Sequence, residues 1–187
     1  MEEIKKITTP LMEDVVRSLK CGDMVSISGI IYTGRDAAHK IMTEMLERGE
    51  ALPVDLRDQI IYYAGPTPAK PGKVIGSCGP TTSGRMDAYS RQMMAQGLRG
   101  MIGKGPRAPE VVKAMQEYGV VYFAAIGGAA ALIADSVKEC EVVAFDELGP
   151  EAIRRLRVEN YPCIVAIDAL GNDLYQEGVA QYRLEEK

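Results

Sequence analysis

Short apolar runs rich in β-branched residues alternate along this chain with stretches whose apolar residues recur every three or four positions. The first pattern suits buried strands and the second amphipathic helices. The plainest run, Val120-Val121-Tyr122-Phe123-Ala124-Ala125-Ile126, ends at Gly127-Gly128 and leads into Ala129-Ala130-Ala131-Leu132-Ile133. Those glycines suit close packing of a helix on a sheet, because they carry no Cβ. Repeated alternation of this kind predicts an α/β domain with a mainly parallel sheet, where ligands bind beyond the carboxyl ends of strands.

Strands are predicted over residues 4–8, 24–32, 60–64, 74–78, 98–102, 120–126, 141–145 and 163–167. Helices are predicted over 11–19, 38–46, from the end of residue 86 to about 96, 109–117, 129–133 and about 150–156. Pro66, Pro68 and Pro71 make residues 65–72 a rigid, non-helical connection. Residues 168–172 read as a turn, and 175–187 as a short helix or a tail. All of 1–187 is expected to form one domain, since a chain of 187 residues can build a substantial core.

A hydrophobic fraction of 47% with 26% charged residues argues against disorder. No apolar run is long enough to cross a bilayer, and Met1-Glu2-Glu3 lacks the basic start of a signal peptide, so a cytoplasmic location is expected and no membrane partner. The net charge of −4 and the lack of a basic stripe give no reason to expect a nucleic acid. Cys21, Cys78, Cys140 and Cys163 form no CxxC pair, and His39 is the only histidine. No metal or cluster site is therefore expected from this chain alone.

The stretch with most chemistry is Gly79-Pro80-Thr81-Thr82-Ser83-Gly84-Arg85-Met86, a glycine-bounded turn between an expected strand and an expected helix. Unpaired N–H groups at a helix start, three hydroxyls and a guanidinium together suit a carboxylate or phosphate. A capped helix whose hydroxyls only satisfy backbone amides accounts for the same residues equally well. Arg35, Arg85 and Lys104 each fall after a predicted strand. If those strands are parallel neighbours, three cations line one rim, which suits a small dicarboxylate.

Two phosphate-binding motifs are excluded. The 79–86 turn has the glycine spacing of a P-loop, but Arg85 and Met86 replace its lysine and its Ser/Thr. Gly103-Lys104-Gly105-Pro106-Arg107-Ala108 has dinucleotide-loop spacing, but Pro106 removes a backbone donor and the following strand ends without an acidic residue.

Thr33-Gly34-Arg35-Asp36-Ala37-Ala38-His39, the 79–86 turn, Ile102-Gly103-Lys104-Gly105 and Gly127-Gly128-Ala129-Ala130-Ala131-Leu132, in this order, resemble the β subunit, or C-terminal domain, of the iron–sulfur class I fumarases and L-tartrate dehydratases. The resemblance runs from about residue 4 to 177, with 178–187 as a possible tail. It implies a swivelling β/β/α three-layer domain, and a partner α subunit that holds a four-iron four-sulfur cluster, in an assembly guessed as α2β2. It implies reversible hydration of fumarate to L-malate, or the same chemistry on tartrate. A stand-alone dicarboxylate-binding module is the alternative. By the same resemblance Arg35, Arg85 and Lys104 hold the substrate, Thr81 is the catalytic base, and Asp36, His39, Thr82 and Ser83 orient the rest. For His39, a buried histidine tied to a local partner is as well supported.

Overall fold

The computed structural model describes residues 4–125 and 130–182. Its elements are β1 (Lys5–Thr8), α1 (Glu13–Ser18), β2 (Met24–Thr33), α2 (Asp36–Glu47), β3 (Ile60–Tyr62), α3 (Asp87–Ala95), β4 (Gly100–Gly103), α4 (Pro109–Tyr118), β5 (Val121–Ala125), α5 (Ala130–Ser136), β6 (Val137–Ala144), β7 (Ile153–Ile167) and α6 (Leu174–Tyr182). Short 3-10 turns cover Ser83–Met86 and Asp146–Glu151. The predicted Gly127-Gly128 turn lies outside the described residues.

The five strands β1 to β5 lie side by side in parallel, and β7 runs antiparallel to β2, β5 and β6. Because β7 reaches both β2 and β5, the pairing returns on itself around β2, β3, β4, β5 and β7. Side chains of the central strands alternate between two cores. Ile60, Tyr62, Ile102 and Phe123 pack with Ile27, Leu156 and Val165 of the long strands. Ile61, Tyr63, Met101 and Tyr122 pack with Met42, Met93 and Met115 of the helices. The result is an α/β architecture whose central parallel strands β3, β4 and β5 are covered on both faces, which is why they read as apolar runs.

Helix ends follow local chemistry. Pro109 opens α4, where its missing N–H has no consequence, and Gly119 closes it in the left-handed conformation at φ 65°.

Two predicted elements are corrected. Residues 74–78 form no strand. Pro66 and Pro68 cannot donate to a ladder, and Gly76 sits so close to the carbonyls of Thr67 and Pro68 that the segment folds against them, held by Thr67 N–H on the Ser77 carbonyl at 3.0 Å. Residues 150–156 are not a helix: the 3-10 turn ends at Glu151 and β7 begins at Ile153. Ile153 and Leu156 have helical spacing, yet Leu156, Val158, Tyr161, Cys163 and Val165 alternate into the core with two residues at Glu159 and Asn160 looped out. Asn160 takes φ 53° there, opposite an irregularity between Ile27 and Gly29 in β2.

Gly103 closes β4 against the 79–86 loop. A Cβ on it would lie 1.9 Å from Ser83 Oγ and 2.9 Å from Tyr63 Cδ2, so Gly103→Ala must push apart two packed elements. It is expected to lower stability by about 3 kcal/mol in urea unfolding, the upper part of the range for overpacking. Gly178→Ala, in helix α6 with open space around it, is the control and should be neutral or slightly stabilising.

Candidate active site

β2, β3 and β4 are adjacent and parallel, so their carboxyl ends share one edge of the sheet. The connections leaving them carry the residues singled out above. After β2 come Gly34, whose N–H donates to the Tyr62 carbonyl at 3.1 Å, and Arg35 at the start of α2. After β3 the chain returns to the same edge at Pro80, paired with Ala64, and Thr81 N–H donates to the Tyr63 carbonyl at 2.6 Å. After β4 comes Lys104, bridged in parallel to Thr82, with Ser83 N–H donating to the Lys104 carbonyl at 2.9 Å.

Thr81, Thr82, Ser83 and Lys104 are thus joined directly, with Arg85 one turn further along. Arg85 does not follow a strand as the sequence pattern predicted; it lies in the 3-10 turn before α3. Thr81 is half-buried, while Thr82, Arg85 and Lys104 are exposed. Among the described residues, neither Arg85 nor Lys104 enters an ion pair, so both charges face solvent uncompensated.

Arg35 is held differently. Its guanidinium crosses Gly65, where a Cβ would fall 3.0 Å from Nη1, and Nη2 lies 3.1 Å from Glu151 Oε1. Glu151 Oε2 also accepts the Ala37 N–H at 3.1 Å, so one carboxylate caps the first turn of α2 and neutralises Arg35. Asp36 Oδ1 stands 3.7 Å from the same guanidinium and makes no hydrogen bond.

Beneath this edge is a polar floor. Tyr122 donates its hydroxyl proton to the Gly105 carbonyl at 2.9 Å, so the Ser83 hydroxyl, 2.8 Å away, is the donor to Tyr122. Ser83 therefore ties its turn to the connection that carries Lys104. His39 is fully buried, and its Nδ1–H donates to the Arg35 carbonyl at 2.8 Å. Among the described residues its Nε2 and the Tyr63 hydroxyl have no hydrogen-bond partner, although the two rings meet edge to face at 5.5 Å. Burial pushes the His39 imidazole down to about 4, so it stays neutral at pH 7.

Glu151, Arg107, Tyr63 and Tyr122 were not singled out from the sequence. The two tyrosines could have been, because a hydroxyl inside an apolar strand needs a polar partner. Nothing in the local pattern marks Glu151, which comes from a distant connection.

The thiols do not fit a metal cluster. Among the described residues no three His, Cys, Asp or Glu side chains gather as a ligand set. Burial pushes the Cys21 thiol up to about 11 and Cys78 up to about 12, and raises Cys163 as well, against the thiolate form that binds metal. At the other end of the sheet, a cavity of about 590 Å³ is lined by Glu13, Arg17, Arg99 and Tyr118. Its cations are already occupied, Arg17 by Glu13 at 2.6 Å and Arg99 by Asp58 at 3.3 Å.

The family described as Fumarase C-terminus matches residues 2–178. The chain belongs to this family. A relative from Methanocaldococcus jannaschii, named "Putative L(+)-tartrate dehydratase subunit beta", is 48% identical over 168 residues, covering 87% of this chain and 86% of that protein. The aerobic class I fumarate hydratase of Salmonella typhimurium is 44% identical over 155 residues, 82% of this chain but 27% of the relative. Fumarate hydratase 2 of Leishmania major is 40% identical over 161 residues, 85% of this chain and 28% of that protein. This Fumarase C-terminus chain therefore spans nearly all of one relative and little more than a quarter of the others. Both kinds of relative are named for adding or removing water.

The neutral His39 carries a pH prediction. The unfolded chain takes up the imidazole proton near pH 6.5, whereas the fold resists it down to about 4. This group's contribution is present above 6.5 and is lost as pH falls towards 4, by about 3 kcal/mol in all. Urea unfolding of His39→Gln across this range should show a slope flattened by about that amount relative to wild type.

Proposed function

We propose that this chain is the β subunit of a class I hydro-lyase that interconverts fumarate and L-malate, or a related 2-hydroxy dicarboxylate, together with an α subunit. The observation that carries this reading is the Thr82–Lys104 bridge, which fixes the Thr81 to Arg85 turn beside Lys104 at the carboxyl ends of parallel strands. In this reading the whole chain is one swivelling β/β/α domain. Its two β layers enclose the core of Ile60, Tyr62 and Phe123, and the helices cover the core of Ile61, Tyr63 and Tyr122. The iron–sulfur cluster would be held by the α subunit, since the thiols of this chain do not fit it. An α2β2 assembly in the cytoplasm completes the proposal.

Arg85 and Lys104 would take the two carboxylates of the substrate. Both are exposed and, among the described residues, unpaired, so a dianion would meet two cations without displacing a described partner. When the proton leaves the carbon beside the hydroxyl-bearing one, negative charge builds on a carboxylate, and a cation already aimed at its oxygens lowers the barrier. Thr81 would take that proton. A threonine hydroxyl is a poor base unless a neighbouring cation stabilises its deprotonated form, and Lys104 and Arg85 are the cations at hand. Arg35 would act with its charge already balanced by Glu151, orienting substrate by hydrogen bonds more than by net charge. Asp36, His39, Thr82 and Ser83 would hold these groups in place.

Tartrate is the second substrate to test, favoured by the near full-length match to the Methanocaldococcus relative. The experiment combines the chain with its cluster-bearing α subunit without oxygen, then follows fumarate absorbance and, separately, oxaloacetate formed from tartrate. Turnover of neither, with the cluster intact, overturns the enzyme reading in favour of a binding module. Because Arg85 is exposed, Arg85→Ala should lower kcat/KM by about a thousandfold while circular dichroism and thermal unfolding stay as in wild type. An unfolded Arg85→Ala chain would make the residue structural.

A further inference from the structure

One buried charge with several partners has no place in the chemistry above. The Arg107 side chain is wholly inaccessible to solvent. Its Nε donates to Asp87 Oδ1 at 2.7 Å, one terminal nitrogen to Ser90 Oγ at 2.7 Å, and the other contacts Met101 Sδ at 3.3 Å. Its guanidinium carbon lies 5.4 Å from the ring centre of Tyr63 and 5.1 Å from that of Tyr122. A buried ion pair is poor value for stability alone, since apolar side chains of similar volume avoid the desolvation. A guanidinium does something an apolar group cannot, which is to tie its own element to a second one through donors held in a fixed plane.

The two elements are the ones that carry the rim cations. Asp87 is the first residue of α3, directly after the 3-10 turn that holds Arg85, and Ser90 is one turn further along. Arg107 itself lies three residues after Lys104 in the connection from β4 to α4. The link is doubled, because Asp87 Oδ2 accepts the Ala108 N–H at 2.8 Å. The Tyr122 ring beside Arg107 is the one whose hydroxyl joins Ser83 to Gly105.

We propose that Arg107 is a positioning residue that sets the separation of Arg85 from Lys104, and so the length of dianion the rim accepts. This rests on the reading of the rim as a dicarboxylate site. Arg107 touches neither substrate nor solvent and acts through Asp87 and Ser90. Lysine at this position would keep the charge but lose the fork.

The test uses the chain combined with its α subunit, with malonate, succinate and glutarate as competing three-, four- and five-carbon dianions. Wild type should be inhibited most by succinate. Arg107→Lys should raise the KM for fumarate about tenfold with kcat changed less than about threefold, and should narrow the preference for succinate over the other two. Ser90→Ala, which removes one arm of the fork with almost no change of volume, should do the same to a smaller extent and guards against a misfolded Arg107 variant. Unchanged KM and unchanged inhibitor preference in a folded Arg107→Lys or Ser90→Ala chain would overturn the proposal while leaving the dicarboxylate reading intact. A wild-type complex that none of the three dianions inhibits would overturn the dicarboxylate reading, and this proposal with it.

Discussion

A strand buried on both faces has no side chain left for chemistry. Ile60, Ile61 and Tyr62 of β3 are all less than 3% exposed, with odd and even positions committed to different cores. Each such side chain contributes about 1.5 to 3 kcal/mol by leaving water, so none can be exchanged for a polar group without heavy loss. Function must then sit where the ladder stops. At the carboxyl ends of β2, β3 and β4 the backbone leaves the sheet, and the Gly34, Thr81 and Ser83 N–H groups are used to lock the departing loops to the strand carbonyls and to each other. The candidate site is thereby tied to the sheet edge.

This division explains what could be read from sequence. The apolar runs of β3 to β5 were legible because burial on both faces writes itself as hydrophobicity, and the 79–86 segment was legible as a turn because glycines bound its three hydroxyls, with an arginine next to the second glycine. The strand β7 was half missed. Its outer half alternates Leu156 and Val158 with arginines and interrupts the pattern at Asn160, so period two is visible only once β2 and β6 are beside it. The expected strand over 74–78 had the composition of a strand but lacked neighbours able to bond it. The candidate cations were legible as charges at loop positions, but their electrostatic state was not. That depends on Glu151, more than a hundred residues from Arg35 in sequence and in contact with it only through the fold.

That contact changes the charge of the proposed rim. Three cations in a row would present a charge of +3, whereas the Glu151 carboxylate balances Arg35 and, among the described residues, leaves Arg85 and Lys104 without an ion pair. In the proposed site a dicarboxylate brings two negative charges as substrate and as product, and proton loss builds a further charge on one carboxylate in the transition state. A third free cation would tighten substrate and product as well, and the uniform part of that tightening lowers KM without lowering the barrier. Matching two charges with two cations would leave Arg35 to discriminate by the direction of its hydrogen bonds, because Glu151 already cancels its net field.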